Sequence, residues 1–253
     1  MLAEDRKDSI LQMINEDGSV KVSKLIKLFN VSIETIRRDL ETLEKEGALT
    51  RVYGGAVLKK KNQQSSYLKR GEEYIEQKRE IASIVMRYIE EEQAIALNNS
   101  TTNIEIAKEL KKNFTKLTII TNSLIIANEL ARMEGYTVIL AGGILDNKEY
   151  AFYGEFTESI LSNFIVDKAF ISVSGVSLTR GVTDYVLGEV EVMKKLMQIS
   201  QESIILADSS KIDNISLIKV TDIHEVNLII TDSKLEKDVL NKYLKKGIEI
   251  VNK

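Results

Sequence analysis

Cysteine is absent from the 253-residue chain, and histidine occurs once, as His224. The first absence excludes disulfides, thiolate zinc sites and a cysteine nucleophile. The second removes histidine-rich metal sites and makes any histidine-based triad depend on a single residue. No metal or cofactor is therefore expected. Proline is missing as well, and nothing in the composition accounts for that. No apolar run approaches the roughly 20 residues that cross a bilayer. The opening MLAEDRKDSI lacks the apolar stretch of a signal peptide, so a cytoplasmic protein without a membrane partner is expected. What is present, 43% hydrophobic and 29% charged residues with a net charge of −3, suits one or two globular domains and not a disordered chain. The charge is uneven. Residues 1–61 carry 12 Lys and Arg against 10 Asp and Glu, while the remainder is net −5, so an anionic partner would meet the N-terminal end.

Three short helices are legible in the first sixty residues. Ile10, Met13 and Ile14 give the first an apolar stripe, and Val22, Leu25, Ile26 and Phe29 the second. The third spans about Ser32 to Glu46, with Ile33, Ile36, Leu40 and Leu43 expected on its inner face. Asn30 supplies a residue tolerant of left-handed backbone between helices two and three. Ser32 is a good N-cap, and Val31 with Ile36 fits a hydrophobic staple. Two short helices joined by about three residues read as a helix-turn-helix. LTRVYGGAVL then offers two β-prone runs around Gly54-Gly55, a hairpin wing carrying Arg51 and Tyr53.

That pattern leaves Thr35, Arg37 and Arg38 on or near the exposed side of the third helix. Guanidinium forks suit phosphates or guanine edges, and Ser32 and Thr35 near the helix start suit phosphate. A lone basic pair is more often a solvated face. Behind a tight turn and ahead of a Gly-Gly hairpin, it reads as a winged helix for double-stranded DNA. VSIETIRRDLETLEKEGALTRVYGGAV resembles the N-terminal signature of the DeoR family of bacterial transcriptional regulators: a recognition helix VS-x-x-TIRRDL, then a Leu-x-Arg-x-His/Tyr-Gly-Gly-Ala wing. The resemblance implies that Thr35, Arg37 and Arg38 contact operator DNA.

Residues 58–71, LKKKNQQSSYLKRG, are polar and basic without periodicity and read as a linker between domains at 1–57 and 72–253. Lys59, Lys60 and Lys61 either touch phosphate or are simply solvated. Beyond a helix marked by Ile81, Ile84, Val85, Tyr88 and Ile89, apolar runs alternate with helical stretches. The runs are AIAL (94–97), LTIIT (117–121), TVILA (137–141), KAFISV (168–173), SIILA (203–207), NLIIT (227–231) and IEIV (248–251). Repeated βα units predict a larger α/β domain with a mainly parallel sheet, and ligands of such sheets bind beyond the strands' carboxyl ends.

Polar residues gather at those ends. Asn98 to Asn103 follow the first strand as a helix begins, a phosphate cradle beyond what N-capping needs. Thr121-Asn122-Ser123, Gly142-Gly143, Ser174-Gly175, Gly181 to Asp184 and Asp208 to Lys211 end the others. Singly each is turn chemistry; together they describe a pocket for a small, hydroxylated, anionic molecule. LNNSTTN, TNS, GG, DKAFISVSGVS, GVTD, EVEVMKKLM and LADSSK again resemble the DeoR family, whose effector domain is related to ribose-5-phosphate isomerase and glucosamine-6-phosphate deaminase. The resemblance implies that Ser100, Thr101 and Thr102 grip the phosphate of a sugar phosphate, with Asn122, Gly143, Gly175, Glu189 and Lys211 around the sugar. Asn98 and Ser100 stand where the family usually has aspartate and glycine, and a Cβ at position 100 would narrow the backbone approach.

Two functions are weighed. In the first, a repressor of a sugar-catabolism operon changes operator affinity when a phosphorylated sugar binds. In the second, an isomerase- or deaminase-like enzyme is fused to a DNA-binding domain, with Asp184, Glu189, Asp208 and Asp232 available as bases. The related deaminases use an active-site histidine, and His224 at the mouth of a strand reads as surface or structural. The repressor is favoured, as a homo-oligomer (dimer or tetramer) whose paired winged helices restore affinity and register.

Overall fold

The computed structural model describes residues 3–17, 19–45, 48–52, 54–58 and 67–253. The chain divides into two compact units, Met1–Ser65 and Ser66–Lys253. Among the described residues no helix is long and apolar enough to cross a membrane.

The first unit runs α1 (Ala3–Asp17), β1 (Ser19–Lys21), α2 (Val22–Phe29), α3 (Ile33–Lys45), β2 (Leu49–Val52) and β3 (Gly55–Leu58). Ile10, Ile14, Leu25, Ile36, Leu40, Leu43 and Leu49 form its core. Asn30 caps α2 at φ 50°, ψ 49°, the left-handed conformation the turn demands. Ser32 caps α3, its Oγ accepting the Thr35 amide at 3.2 Å. Strands β2 and β3 form the expected antiparallel wing, with Gly54 at φ +81° in the turn. A third strand, β1, pairs with β3; three residues are too few to show a period. Ile33 departs from the expected inner stripe and is 36% exposed. It is the first residue of α3, where the staple already covers the core with Val31, so its side chain turns outward.

The second unit opens with α4 (Tyr67–Glu72), α5 (Ile75–Val85) and a 3-10 turn, Met86–Tyr88. Residues 67–71 are thus helical and not linker. A six-residue helix with polar neighbours carries no apolar period, yet Tyr67 and Arg70 share a face at i, i+3. There follow β4 (Ala94–Leu97), α6 (Thr101–Asn113), β5 (Thr118–Thr121), α7 (Leu124–Leu130), β6 (Thr137–Leu140), β7 (Ile144–Asp146), β8 (Ala151–Tyr153) and α8 (Glu155–Leu161). The rest comprises β9 (Val166–Ser172), β10 (Gly175–Ser177), β11 (Gly181–Asp184), α9 (Leu187–Ile199), β12 (Ser200–Leu206), β13 (Ile218–Thr221), β14 (Leu228–Ile230), α10 (Lys237–Leu244) and β15 (Ile250–Val251). Two further 3-10 turns cover Ser209–Lys211 and Ile223–Glu225.

Seven strands form one parallel sheet in the order β15-β14-β12-β9-β4-β5-β6. Side-chain alternation sorts its two faces. Ile95, Leu97 and Phe170 point into a core shared with Ile81 of α5, Ile106 of α6 and Ile126 of α7. Ala96, Ala169 and Ile171 point into the other, shared with Leu161, Val190 and Tyr243 of α8, α9 and α10. From β4 the chain winds outward through β5 and β6, then returns to add β9 on the opposite side of β4. The strand order therefore reverses between β4 and β9, and a crevice opens at such a point beyond the strand ends. Two small antiparallel sheets, β7-β8 and β10-β11-β13, lie outside the main one.

Candidate functional site

The outer face of α3 carries Arg37 and Arg38. Ile36, Asp39, Leu40 and Leu43 are buried, which turns Arg37 and Arg38 outward. Both are exposed, and neither side chain makes an ion pair or hydrogen bond among the described residues. Beneath them, Asp39 meets Arg6 of α1 in a buried two-pronged ion pair, Nε–Oδ2 2.6 Å and Nη2–Oδ1 3.1 Å. That pair fixes the face of α3 presented to solvent. The Ser32 and Thr35 hydroxyls share one hydrogen bond of 3.0 Å at the helix start, leaving each a further valence for phosphate. Arg51 differs from expectation: its Nε donates to Glu44 Oε2 at 2.7 Å and its backbone N–H to Glu44 Oε1. The guanidinium is tied to α3 because the wing folds against that helix, so one edge of its fork is spent. Tyr53 and Lys59 to Lys61 lie outside the described residues.

At the crevice of the second unit, backbone pairing of β4 with β9 ends at Leu97 opposite Phe170. Side-chain amides span the gap beyond. Asn98 donates from Nδ2 to the Ser172 carbonyl (3.0 Å) and accepts the Ser172 amide on Oδ1 (2.8 Å). Asn103 Nδ2 donates to Asn98 O, Asn98 Oδ1 and Phe170 O. Asn122 accepts the Asn99 amide (2.9 Å) and donates to Phe152 O (3.1 Å). Asn98 and Asn122 are thus occupied in holding the crevice's shape. Ser100 adopts φ −166° and accepts the Asn103 amide at 2.9 Å as the N-cap of α6. That extended backbone suits any residue, so Ser100 fits without strain where glycine was the family's habit. Thr101 and Thr102 follow with hydroxyls that make no hydrogen bond among the described residues, on a helix start with free amides.

The glycines serve a different end from the one the sequence suggested. A Cβ on Gly143 would sit 2.3 Å from Thr157 Oγ1, and one on Gly175 2.7 Å from the Asn214 carbonyl. Each lets the chain approach itself, whereas beside Gly142 there is open space.

Charge collects around the crevice. Lys211 lies 3.4 Å from Asp208. Burial pushes the Asp208 carboxyl up, but Lys211 and the Ser210 donors outweigh it and hold the group below its ordinary value. Lys78, on α5, was not singled out by any motif, since nothing in a lone helical lysine marks it. It is 4% exposed; burial first, then the like charge of Lys211, pulls its ammonium down to about 8. The charges of Asp208, Glu73 and Glu105 act on the same ammonium in the opposite sense. Glu189 Oε1 accepts from Tyr153 OH and from Asn99 Nδ2 (3.1 Å). Burial, then the charge of Asp184, pushes Glu189 up to about 7 against those two donors.

A carboxyl that binds its proton more tightly when folded stabilises the fold fully below its unfolded value near 4.5 and loses that contribution as pH rises through about 7. Glu189→Gln keeps an oxygen acceptor for Tyr153 and Asn99 while removing the charge. The variant is expected to melt with wild type at pH 4 and about 2–4 °C above it at pH 8, the shift being trimmed by partial exposure. Thermal denaturation across pH checks this; curves that stay parallel over the whole range would contradict the assignment.

A winged helix that presents two exposed arginines on its third helix, in one chain with a doubly wound α/β domain, defines a DNA-binding transcriptional regulator. The model of the DeoR-like helix-turn-helix domain matches residues 6–62, and that of the DeoR C terminal sensor domain matches residues 73–233. A lactose phosphotransferase system repressor of Staphylococcus epidermidis is 35% identical over 238 residues, 92% of this chain and 94% of that one. An L-fucose operon activator of Haemophilus influenzae is 32% identical over 239 residues, 94% of this chain and 95% of that one. Among solved structures, ribose 5 phosphate isomerase A from Neisseria gonorrhoeae is similar at 18% identity over 53% of this chain and 52% of that one, with a TM-score of 0.40. The chain belongs to the DeoR family of transcriptional regulators.

Proposed function

We propose that this chain is a non-enzymatic, cytoplasmic repressor of a sugar-catabolism operon, acting as a dimer or tetramer, whose operator affinity is set by a phosphorylated sugar. Ser32, Thr35, Arg37 and Arg38, with Arg51 on the wing, form the DNA face. Thr101, Thr102 and the amides at the start of α6 hold the phosphate together with Lys211 and Lys78, while Glu189 and Asn99 meet sugar hydroxyls. Asn98, Asn122, Gly143 and Gly175 act by shaping the crevice. The observation that carries the reading is the placement of Thr101 and Thr102, whose hydroxyls make no hydrogen bond among the described residues, at the start of α6 directly after β4, where strand order reverses. His224 is exposed on a 3-10 turn, which gives an imidazole-dependent reaction no support. The named sugars of the two relatives favour a carbohydrate, and since one is called a repressor and the other an activator, the sign of control rests on the usual arrangement of the family.

The test is a thermal-shift survey of pentose and hexose phosphates, since a ligand of the native state raises its melting temperature by mass action, followed by operator titrations with and without the ligand found. Thr101→Ala is expected to weaken that ligand about tenfold, the value of one hydrogen bond to a charged group, and to leave unliganded DNA affinity unchanged. Equal ligand affinity by calorimetry would remove Thr101 from the site. Mapping genomic binding sites names the sugar through the neighbouring transport and kinase genes.

A further inference from the structure

The first helix of the second unit bears no motif, yet it builds one wall of the crevice. α4 packs against α6. Arg70 grips Glu149 with both prongs of its guanidinium, Nη1–Oε1 at 3.1 Å and Nη2 on Oε2, and lies 5.5 Å from the centroid of the Tyr67 ring. Tyr67 stands edge-on to Tyr150 at 6.0 Å between ring centres. The Lys78 ammonium donates to the Arg70 carbonyl, tying α4 to α5. On the other side, the backbone carbonyl of Glu149 accepts from Asn99 Nδ2, the same nitrogen that donates to Glu189. α4 is therefore two hydrogen-bonded steps from the strand-order reversal.

Two buried polar atoms in this wall are left unsatisfied among the described residues. Tyr67 is 4% exposed and Asn99 3%; Asn99 Oδ1 is buried without a hydrogen bond among the described residues, and the Tyr67 hydroxyl is buried with the Ser123 side chain as its polar neighbour, outside good hydrogen-bond geometry. Native folds rarely leave such groups unsatisfied, and those that remain ask for an explanation. Both sit in one neighbourhood: the charges of Glu189 and Glu149 act on Tyr67, and Asn99 bonds to both of those residues. A tyrosine hydroxyl and an amide oxygen, one able to donate and both able to accept, match the vicinal hydroxyls of a sugar.

We propose that α4 belongs to the ligand site: the Tyr67 hydroxyl and Asn99 Oδ1 bind hydroxyls of a polyhydroxylated anion, with Arg70, anchored by Glu149 and lying over the Tyr67 ring, as the positioning residue. This rests on the sugar-phosphate reading given above and adds to it the route by which occupancy is passed on. The chain from the DNA-reading unit enters the second unit at α4. A ligand that gives α4 a hydrogen bond it otherwise lacks stabilises one arrangement of that helix over others, and this differential contact is what coupling to DNA affinity requires.

Tyr67→Phe isolates the hydroxyl. A purely structural tyrosine would lose stability on that change, whereas removing a buried unsatisfied hydroxyl is expected to leave the unliganded melting temperature equal or higher. Calorimetry of the full chain with ribose 5-phosphate, glucose 6-phosphate, fructose 6-phosphate and inorganic phosphate is expected to show at least one of the three sugar phosphates binding wild type and binding Tyr67→Phe about tenfold more weakly, with inorganic phosphate unaffected. Arg70→Ala is expected to keep unliganded operator affinity within about twofold of wild type and to lose most of the change that the same sugar phosphate causes. Equal sugar-phosphate affinity in wild type and Tyr67→Phe, or a destabilised Tyr67→Phe, would overturn the role of α4 and leave the pocket reading standing. Binding of none of the three sugar phosphates to wild type would overturn both.

Discussion

Replacing Asp39 by alanine is expected to destabilise the first unit by about 3–5 kcal/mol, the cost of stranding one member of a buried ion pair. Asp39 and Arg6 are each 7% exposed. The carboxylate accepts both prongs of the guanidinium and, against burial, holds the Arg6 pKa above its ordinary value. Without Asp39 the charge stays buried with no counter-ion. A unit of about sixty residues has little stability to spare, so the loss is expected to unfold it near physiological temperature and to abolish operator binding. The second unit, with its own two cores, should keep its transition. Calorimetry of the full chain, read with amide exchange in α1 and α3, checks this. Because well-packed apolar replacements for buried ion pairs are often neutral, Arg6→Met with Asp39→Leu should restore most of the stability. A single variant within 1 kcal/mol of wild type would show the pair to be dispensable.

What the sequence made legible follows from period and length. The seven strands of the main sheet are short β-branched runs flanked by amphipathic helices, and AIAL coincides with β4 residue for residue. The missed elements had no period to show. β1, β7, β8 and β10 are three residues each, β11 and β13 four, and α4 is six. Tertiary partners define them: β1 exists because β3 offers it an edge, and α4 because Arg70 finds Glu149, 79 residues further on.

The candidate site was legible as a rim and not as a set of roles. Asparagine and glycine at strand ends read equally as ligand groups or as local structure, and only the fold tells them apart. Asn98, Asn103 and Asn122 spend their amides bridging separated backbone, and Gly143 and Gly175 yield space to Thr157 and Asn214. Conversely, Lys78 and Arg70 lie on helix faces among many other cations, so nothing local distinguishes them. Asp39 did carry a signal. An acid three residues after Ile36, inside the apolar stripe of α3, must either break the core or find a cation there, and Arg6 is that cation.

Removing both Arg37 and Arg38 as alanines is expected to lower operator affinity on the order of 100-fold, from about 1–3 kcal/mol per base-edge contact and less per phosphate. Since both side chains are exposed and unpaired among the described residues, the melting temperature should hold, which separates recognition from folding. Single Arg→Lys variants then divide the roles, because lysine keeps the charge and loses the two-pronged fork. At a position that only neutralises phosphate, lysine should preserve affinity, and alanine should reduce the salt slope by about one. At a position that reads guanine, lysine should keep the salt slope and lose discrimination between operator and mixed-sequence DNA. Titrations at several salt concentrations on both duplexes read out each case. Alanine at both positions leaving affinity and salt slope unchanged would mean that DNA meets another face of the winged helix, since no phosphate or base could then lie within reach of the outer side of α3.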